Sequence, residues 1–286
     1  MNKSFRVVLE VSVKQCAFLA VALLAGGLLV KGWLAFAQSH EMGSNVKHET
    51  AVSLAVPAAK PLAASPAADQ SADSVLDGFR HVEVASVADA MEQITGRKIY
   101  MSHRMHSIFT TKFAGYALTM LLKKQENKLG SAGMKEELDA IDEGAPNSVY
   151  VATVEDGADI AGMGGLMGTA MAARDFAGAV IDGGVRDTAY LRKIGFPVYS
   201  LGEVPSTSVN HYVFGGANVP ITCDGVPVKP HDMIVADSDG VVVVPQDMET
   251  QVLAVAQKMD FAEHSMYPLI EQHKSVQAAV KIFGRI

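Results

Sequence analysis

Residues 177–200 read AGAVIDGGVRDTAYLRKIGFPVYS, and the fold follows outward from this stretch. Ala177–Ile181 is a short apolar run that predicts a buried strand. Thr188–Ile194 predicts a helix, and Pro197–Ser200 a second short strand. Between the first strand and the helix lies Asp182-Gly-Gly-Val-Arg186-Asp187. Open α/β sheets place ligands just past the carboxyl ends of their strands, and Arg186 and Asp187 fall there.

Upstream, Gly162, Gly164, Gly165 and Gly168 form a glycine loop that opens a small-residue helix over Gly165–Arg174. Backbone N–H groups exposed at such a helix start, together with its dipole, bind a carboxylate or phosphate. A guanidinium at 186 can clamp a carboxylate or stabilise a developing enolate oxygen. A neighbouring carboxylate at 187 can hold Mg²⁺, which needs few protein ligands. The three elements together suit a 2-oxo acid. A dinucleotide site is the competing class, with Asp182 as ribose ligand. Its fingerprint G-x-G-x-x-G directly follows a strand, whereas here the spacing is G-x-G-x-x-x-G, well after Val154.

Further out, Ser148–Val154 predicts a strand from its branched and aromatic content, Phe113–Leu122 another, and Lys135–Ile141 a short helix. Ser86-Val-Ala-Asp89 has the pattern of a cap opening a helix over 87–95, with Gly96 as its C-cap. Val219–Thr222, Val226–Val228, Met233–Ala236 and Val241–Val244 predict short strands, joined by turns at Asp224-Gly225 and Asp239-Gly240. A last helix is expected over Asp247–Glu263, with a helical tail after it. Alternating helices and strands followed by hairpins predict a layered α/β domain with a parallel and an antiparallel portion.

The chain has 286 residues, a net charge of −7 and 49% hydrophobic residues. That excludes a disulfide mini-protein and a disordered chain. Net acidity argues against nucleic acid as partner. Residues 1–37 carry a net +3 against −10 for the rest, and Cys16–Val30 is an apolar run of 15 residues. This length fits a signal-peptide core better than a spanning helix, and Ala35-Phe36-Ala37 offers a cleavage site. An uncleaved anchor through 16–36 is the rival. The expectation is an exported protein, periplasmic or secreted, with 1–37 as signal or anchor. Residues 38–75, rich in Ala, Pro and Ser, are then a flexible tether, and 76–286 a single domain with a helical tail. Cys223 is expected as a small core residue.

The run AGAVIDGGVRDTAYLRKIGFPVYS resembles the signature of the family of the regulator of ribonuclease E activity A. That family includes the class II 4-hydroxy-4-methyl-2-oxoglutarate (4-carboxy-4-hydroxy-2-oxoadipate) aldolases, and some members bear the older label demethylmenaquinone methyltransferase. VASVADAM (84–91), FAGYALT (113–119) and VPVKPHDMIVADSDGVVVVP (226–245) extend the resemblance over about 80–260. It implies a layered β/β/α fold of the swivelling phosphohistidine type, in trimers or dimers of trimers with the site between subunits. Carried over, Arg186 contacts pyruvate and stabilises its enolate, and Asp187 holds Mg²⁺ or Mn²⁺. Gly164, Gly165, Leu166 and Met167 offer amides to the substrate carboxylate. The implied reaction is metal-dependent retro-aldol cleavage to pyruvate, with oxaloacetate decarboxylation as a side activity through the same metal-stabilised enolate.

One position departs from this pattern. The aldolases commonly carry an acid 21 residues before the arginine, and here that position is Gly165. Glu155 or Asp159 could substitute, and Asp237 and Asp239 are candidates for the acid a neighbouring subunit donates. The missing acid motivates a second class, a non-catalytic binding or regulatory protein on the same fold. His103-Arg-Met-His106 has metal-type spacing without a third ligand nearby. His211 and Tyr212, after Ser206-Thr207-Ser208, belong to a loop that could line the site.

Overall fold

A computed structural model describes residues 70–109 and 112–283. The segments expected as signal or anchor, and nearly all of the expected tether, lie outside these residues. The first described helix, α1 (Gln70–His81), begins within the expected tether, so ordered structure starts before 76.

Helix α2 (Val84–Thr95) ends at Gly96, whose φ of 66° is the left-handed cap expected. Its start differs from expectation. Ser86 is buried inside the helix, which opens three residues earlier than expected, after Glu83. The Val84 N–H donates to Asp237 Oδ2 at 3.1 Å and the Glu83 N–H to Asp260 Oδ1 at 2.9 Å. Carboxylates from distant elements thus satisfy the orphan donors that a local serine was expected to satisfy.

Nine strands form one mixed sheet. They are β1 (His106–Ser107), β2 (Phe113–Lys124), β3 (Ser148–Val154), β4 (Ala161–Met163), β5 (Gly178–Val185), β6 (Val198–Glu203), β7 (Tyr212–Ala217), β10 (Met233–Asp237) and β11 (Gly240–Val244). The order is β1-β6-β5-β3-β2-β10-β11, with β4 also on β5 and β7 also on β2. β2, β3, β5 and β6 run parallel; β1, β7, β10 and β11 pair antiparallel. β8 (Ile221–Cys223) and β9 (Val226–Val228) make a separate hairpin around Asp224-Gly225, both at positive φ, as a primed turn requires. The other expected hairpin turn is displaced by one: Asp237 pairs Gly240, so Ser238-Asp239 is the turn.

Helices α3 (Lys135–Glu143), α4 (Gly165–Ala173) and α5 (Thr188–Ile194) accompany the parallel strands. Helix α6 (Glu249–His273) and α7 (Val276–Phe283) close the chain; α6 runs ten residues past the expected end. β3 shows how the sheet organises the core. Tyr150, Ala152 and Val154 enter one buried cluster with Ile141, Met171 and Leu191. Val149 and Val151 enter another with Val180, Tyr199 and Cys223. Alternate residues feed opposite faces, and because both are covered the centre of the strand, Val149–Ala152, reads as an apolar run. Each fully buried Val or Tyr of this kind contributes about 1.5–3 kcal/mol. A third cluster packs α1, α2 and α6 on β10 and β11 through Phe79, Met91, Val235, Val242 and Val252.

Among the described residues no helix is long and apolar enough to cross a membrane.

Candidate functional site

β5 continues four residues past the expected Ile181 because it is paired on both sides. Gly184 and Val185 bond to Ala161 and Met163 of β4 and to Gly202 and Glu203 of β6. A register shift absorbs Asp182-Gly183. Gly184 has to be glycine: a Cβ there would stand 2.2 Å from Val204 Cγ2 and 2.9 Å from the Ile160 carbonyl oxygen. The extension carries Arg186 and Asp187 to the rim beside the start of α4.

Asp187 adopts φ 58°, ψ 30°, a left-handed conformation at the head of α5. L-residues pay about 1–2 kcal/mol for this, aspartate among the least. In exchange its carboxylate turns toward α4, where Oδ2 accepts the Gly165 N–H at 2.9 Å. Arg186 Nε lies 3.8 Å from the same oxygen. Arg186 Nη1 donates to the Ser206 carbonyl at 3.3 Å, and its own N–H donates to the Met163 carbonyl at 3.1 Å. Ser206 in turn accepts the Ala161 N–H and donates to the Asp159 carbonyl, tying the 204–209 loop to β4. Both charged side chains keep about half their surface, so the ion pair itself adds little stability.

These residues line one cavity of about 150 Å³ together with Gly164, Gly165, Leu166, Met167, Thr207, Ser208 and Val209. This is room for several waters or a small acid. All predicted site residues are therefore brought together. One role changes: the Gly165 amide is already committed to Asp187, which leaves the Leu166 and Met167 amides, orphans of the first turn, for an anionic ligand. Gly164 permits the close packing, since a Cβ there would meet Asp187 Oδ2 at 2.9 Å and Arg186 Cγ at 3.0 Å.

Glu155 and Asp159 lie off this cavity, and the remaining candidates are engaged elsewhere within the chain. Glu155 accepts the Lys124 N–H, and Asp159 does not line the cavity. Asp237 is buried and caps α2 and the Asp239 amide. His211 bonds Glu126, and the buried Tyr212 donates to the Glu155 carbonyl. Asp182, weighed as a ribose ligand, accepts the Asp224 N–H and anchors the β8–β9 hairpin. Cys223 is buried, as expected. The three-donor cluster present among the described residues is Glu83, Asp260 and His264, and includes neither His103 nor His106.

Glu137 is a further residue of the site that no sequence motif marks. It lines the same cavity, is wholly buried, and accepts a hydrogen bond from the Tyr150 hydroxyl. Burial raises its carboxyl to about 7, the Tyr150 bond pulling the other way. Met134, Glu137 and Ile141 are all buried, at spacings of three and four. An acid on that apolar stripe was the available signal.

Residues 84–243 match the profile of the RraA-like family, described as Aldolase/RraA. A Halalkalibacterium halodurans protein is 43% identical over 82 residues, 29% of this chain and 39% of that protein. A Deinococcus radiodurans protein is 32% identical over 136 residues, 47% of this chain and 78% of that protein. Both bear the provisional name 4-hydroxy-4-methyl-2-oxoglutarate aldolase. The chain thus spans less than half the length of the first of these relatives. The crystal structure of Streptomyces coelicolor RraAS2, described as an unusual member of the RNase ES inhibitor RraA family, superposes with a TM-score of 0.61 at 23% identity. That match covers 71% of this chain and 98% of RraAS2 and shows the shared fold.

These comparisons correct the expectation of an exported, periplasmic or secreted protein tethered through 16–36. The curated relatives are named for an oxo-acid aldolase, and among the described residues, which do not include 16–36, no helix is long and apolar enough to cross a membrane. With its match over more than half the chain, and a cavity built around Arg186 and Asp187, the protein belongs to the Aldolase/RraA family.

Proposed function

We propose that the Arg186–Asp187 cavity binds a small 2-oxo acid and cleaves its C3–C4 bond to release pyruvate. A 4-hydroxy-2-oxo acid of the 4-hydroxy-4-methyl-2-oxoglutarate type is the substrate, and oxaloacetate decarboxylation the side reaction. The observation that carries this reading is the convergence of a guanidinium, a carboxylate and two orphan helix amides on one cavity of small-acid size. The names of the two aldolase-like relatives support the same chemistry.

The Leu166 and Met167 amides and the positive end of α4 hold the substrate carboxylate. Arg186, fixed by the Ser206 carbonyl, sets its guanidinium beside the 2-oxo oxygen. As the C3–C4 bond breaks, its electron pair moves into the C2 carbonyl, and the negative charge that grows there meets the guanidinium. Such preorganised charge is worth on the order of 10²–10³ in rate.

Asp187 suits a hard divalent cation. Its Oδ2 is engaged by Gly165, Oδ1 accepts no hydrogen bond among the described residues, and the side chain is half exposed. One carboxylate is a donor set for Mg²⁺ or Mn²⁺ that keeps most of its waters. Bound there, the cation supplies Lewis-acid polarisation of the substrate's oxo group. The layered swivelling-domain architecture and a homotrimer, or dimer of trimers, belong to this proposal on the strength of the family resemblance.

The test is pyruvate release from 4-hydroxy-4-methyl-2-oxoglutarate and from oxaloacetate, each with Mg²⁺, with EDTA, and with Arg186→Ala. Release that needs both the cation and Arg186 supports the lyase. A folded, metal-supplied protein that turns over neither substrate overturns it, and favours the binding or regulatory role that Gly165 suggests.

A further inference from the structure

We infer that Glu137 is the group that carries the proton to and from C3 of the pyruvate enolate in this cavity. The inference rests on the lyase reading above and deepens it.

Glu137 stands in the first turn of α3, in the segment KEELDAIDE, where acids are ordinarily solvated. Its exposure is instead 0%. Oε1 accepts the Tyr150 hydroxyl, while Oε2 has no hydrogen-bond partner among the described residues. No cation faces it. The elements packed on α3 bring few titratable groups: the 3-10 turn Gly130–Met134 brings none, α4 brings only its C-cap Arg174, which donates to the Gly144 carbonyl at the far end of α3, β3 brings Tyr150, and β7 brings Tyr212. Tyr212 is spent on the Glu155 carbonyl. On α3 itself, Lys135 pairs with Asp139, and Glu136 and Glu143 are exposed. Within the cavity the charged groups are Arg186 and Asp187.

An isolated buried acid with a free oxygen is a poor stabilising device. An apolar side chain of similar volume would remove the desolvation cost. Such acids concentrate where protons are moved. Burial raises the carboxyl to about 7, so both protonation states are available near neutrality, the condition for efficient general acid–base transfer. Tyr150 is a positioning residue. Its phenol is pushed well above its ordinary value by burial and by Glu137, so it remains a donor and holds the carboxyl in one orientation.

The proton step balances. The neutral Glu137 acid gives its proton to C3 of the enolate: a C3–H bond forms, the O–H bond breaks, and its electron pair stays on the carboxylate. The carboxylate is then reprotonated by the proton that leaves the 4-hydroxyl when the next C3–C4 bond breaks. In the decarboxylation, water supplies it. An acid within the same chain thus stands in for one that position 165 lacks.

The test uses the full chain with Mg²⁺ and two readouts. One is pyruvate release against pH. The other is exchange of the pyruvate methyl protons with D₂O, followed by NMR, which reports the C3 proton step without bond cleavage. Glu137→Gln should lower exchange and kcat about 100-fold with KM nearly unchanged. Tyr150→Phe removes the bond that lowers the Glu137 pKa, so it should move the limb of the pH profile near 7 upward. Wild-type exchange and an unchanged profile in folded Glu137→Gln or Glu137→Leu, with Arg186→Ala inactive, would overturn this inference and leave the lyase standing. Absence of both release and exchange in the wild type would overturn both. Should neither Glu137 variant fold, an unshifted Tyr150→Phe profile overturns the inference.

Discussion

The Gly165 N–H donates to Asp187 Oδ2 at 2.9 Å, and the Cα hydrogen of Gly165 marks where a side chain would meet the same carboxylate. A Cβ at 165 would lie 3.3 Å from Asp187 Oδ2 and 3.2 Å from Tyr190 Cδ1. An acid at this position would therefore extend the donor set beside Asp187. Gly165→Asp should tighten Mg²⁺ binding on the order of tenfold. It should also cost about 1 kcal/mol through crowding of Tyr190. Titration calorimetry with Mg²⁺ and a melting curve check both; weaker or unchanged binding would show that position 165 does not face the cation.

Asp187 separates charge from conformation. Its left-handed φ of 58° is tolerated by Asp and Asn and poorly by Ala. Asp187→Asn should keep the melting temperature within a degree or two while cation binding and pyruvate release are lost. Asp187→Ala should lose both function and about 1–2 kcal/mol of stability. Equal stability of the two variants would mean that the backbone here is relaxed.

The sequence made the strand–helix–strand unit over 177–200 legible because its signals are local. Ser148–Val154 and Thr188–Ile194 begin and end where they were expected. What escaped was decided by distant partners. The start of α2 depends on Asp237 and Asp260, both more than 150 residues away, so the Ser86 pattern misled. β7 has strand-forming residues only over Tyr212–Phe214, and its extension through Gly215 and Gly216 follows from its pairing with β2. Glu137 escaped because charge suggests solvent, and only the tertiary fold places that face of α3 over Tyr150 and the cavity. Arg186 and Asp187 were legible because a strand end fixes their position; the capture of the Gly165 amide by Asp187 needed φ at 187.

Gly184 tests whether β5 must extend for the site to exist. A methyl at 184 would stand 2.2 Å from Val204 Cγ2 and 2.9 Å from the Ile160 carbonyl. Gly184→Ala should cost about 1–3 kcal/mol. It should weaken substrate binding more than it lowers the melting temperature, since β4 and the Ser206 loop are displaced together. Urea unfolding and KM for oxaloacetate read the two effects; a stability loss with unchanged KM would show that the site does not depend on this pairing.

Glu137 also predicts a pH dependence of stability. Its folded carboxyl is raised to about 7 from an ordinary value near 4.5, so between these limits the folded state binds more protons than the unfolded one. Unfolding free energy therefore falls as pH rises through this window, by a few kcal/mol for a group this buried. The penalty is absent below the unfolded value and complete above the folded one. Glu249 is also raised to about 7, by burial and by Asp232, and contributes a slope of the same sign. The difference between wild type and Glu137→Gln isolates one of them. The variant should gain on the wild type steadily from pH 4.5 to pH 7.5, followed by urea unfolding at each pH. Parallel curves would mean that Glu137 is ionised in the folded protein, and would remove the neutral acid that the C3 protonation requires.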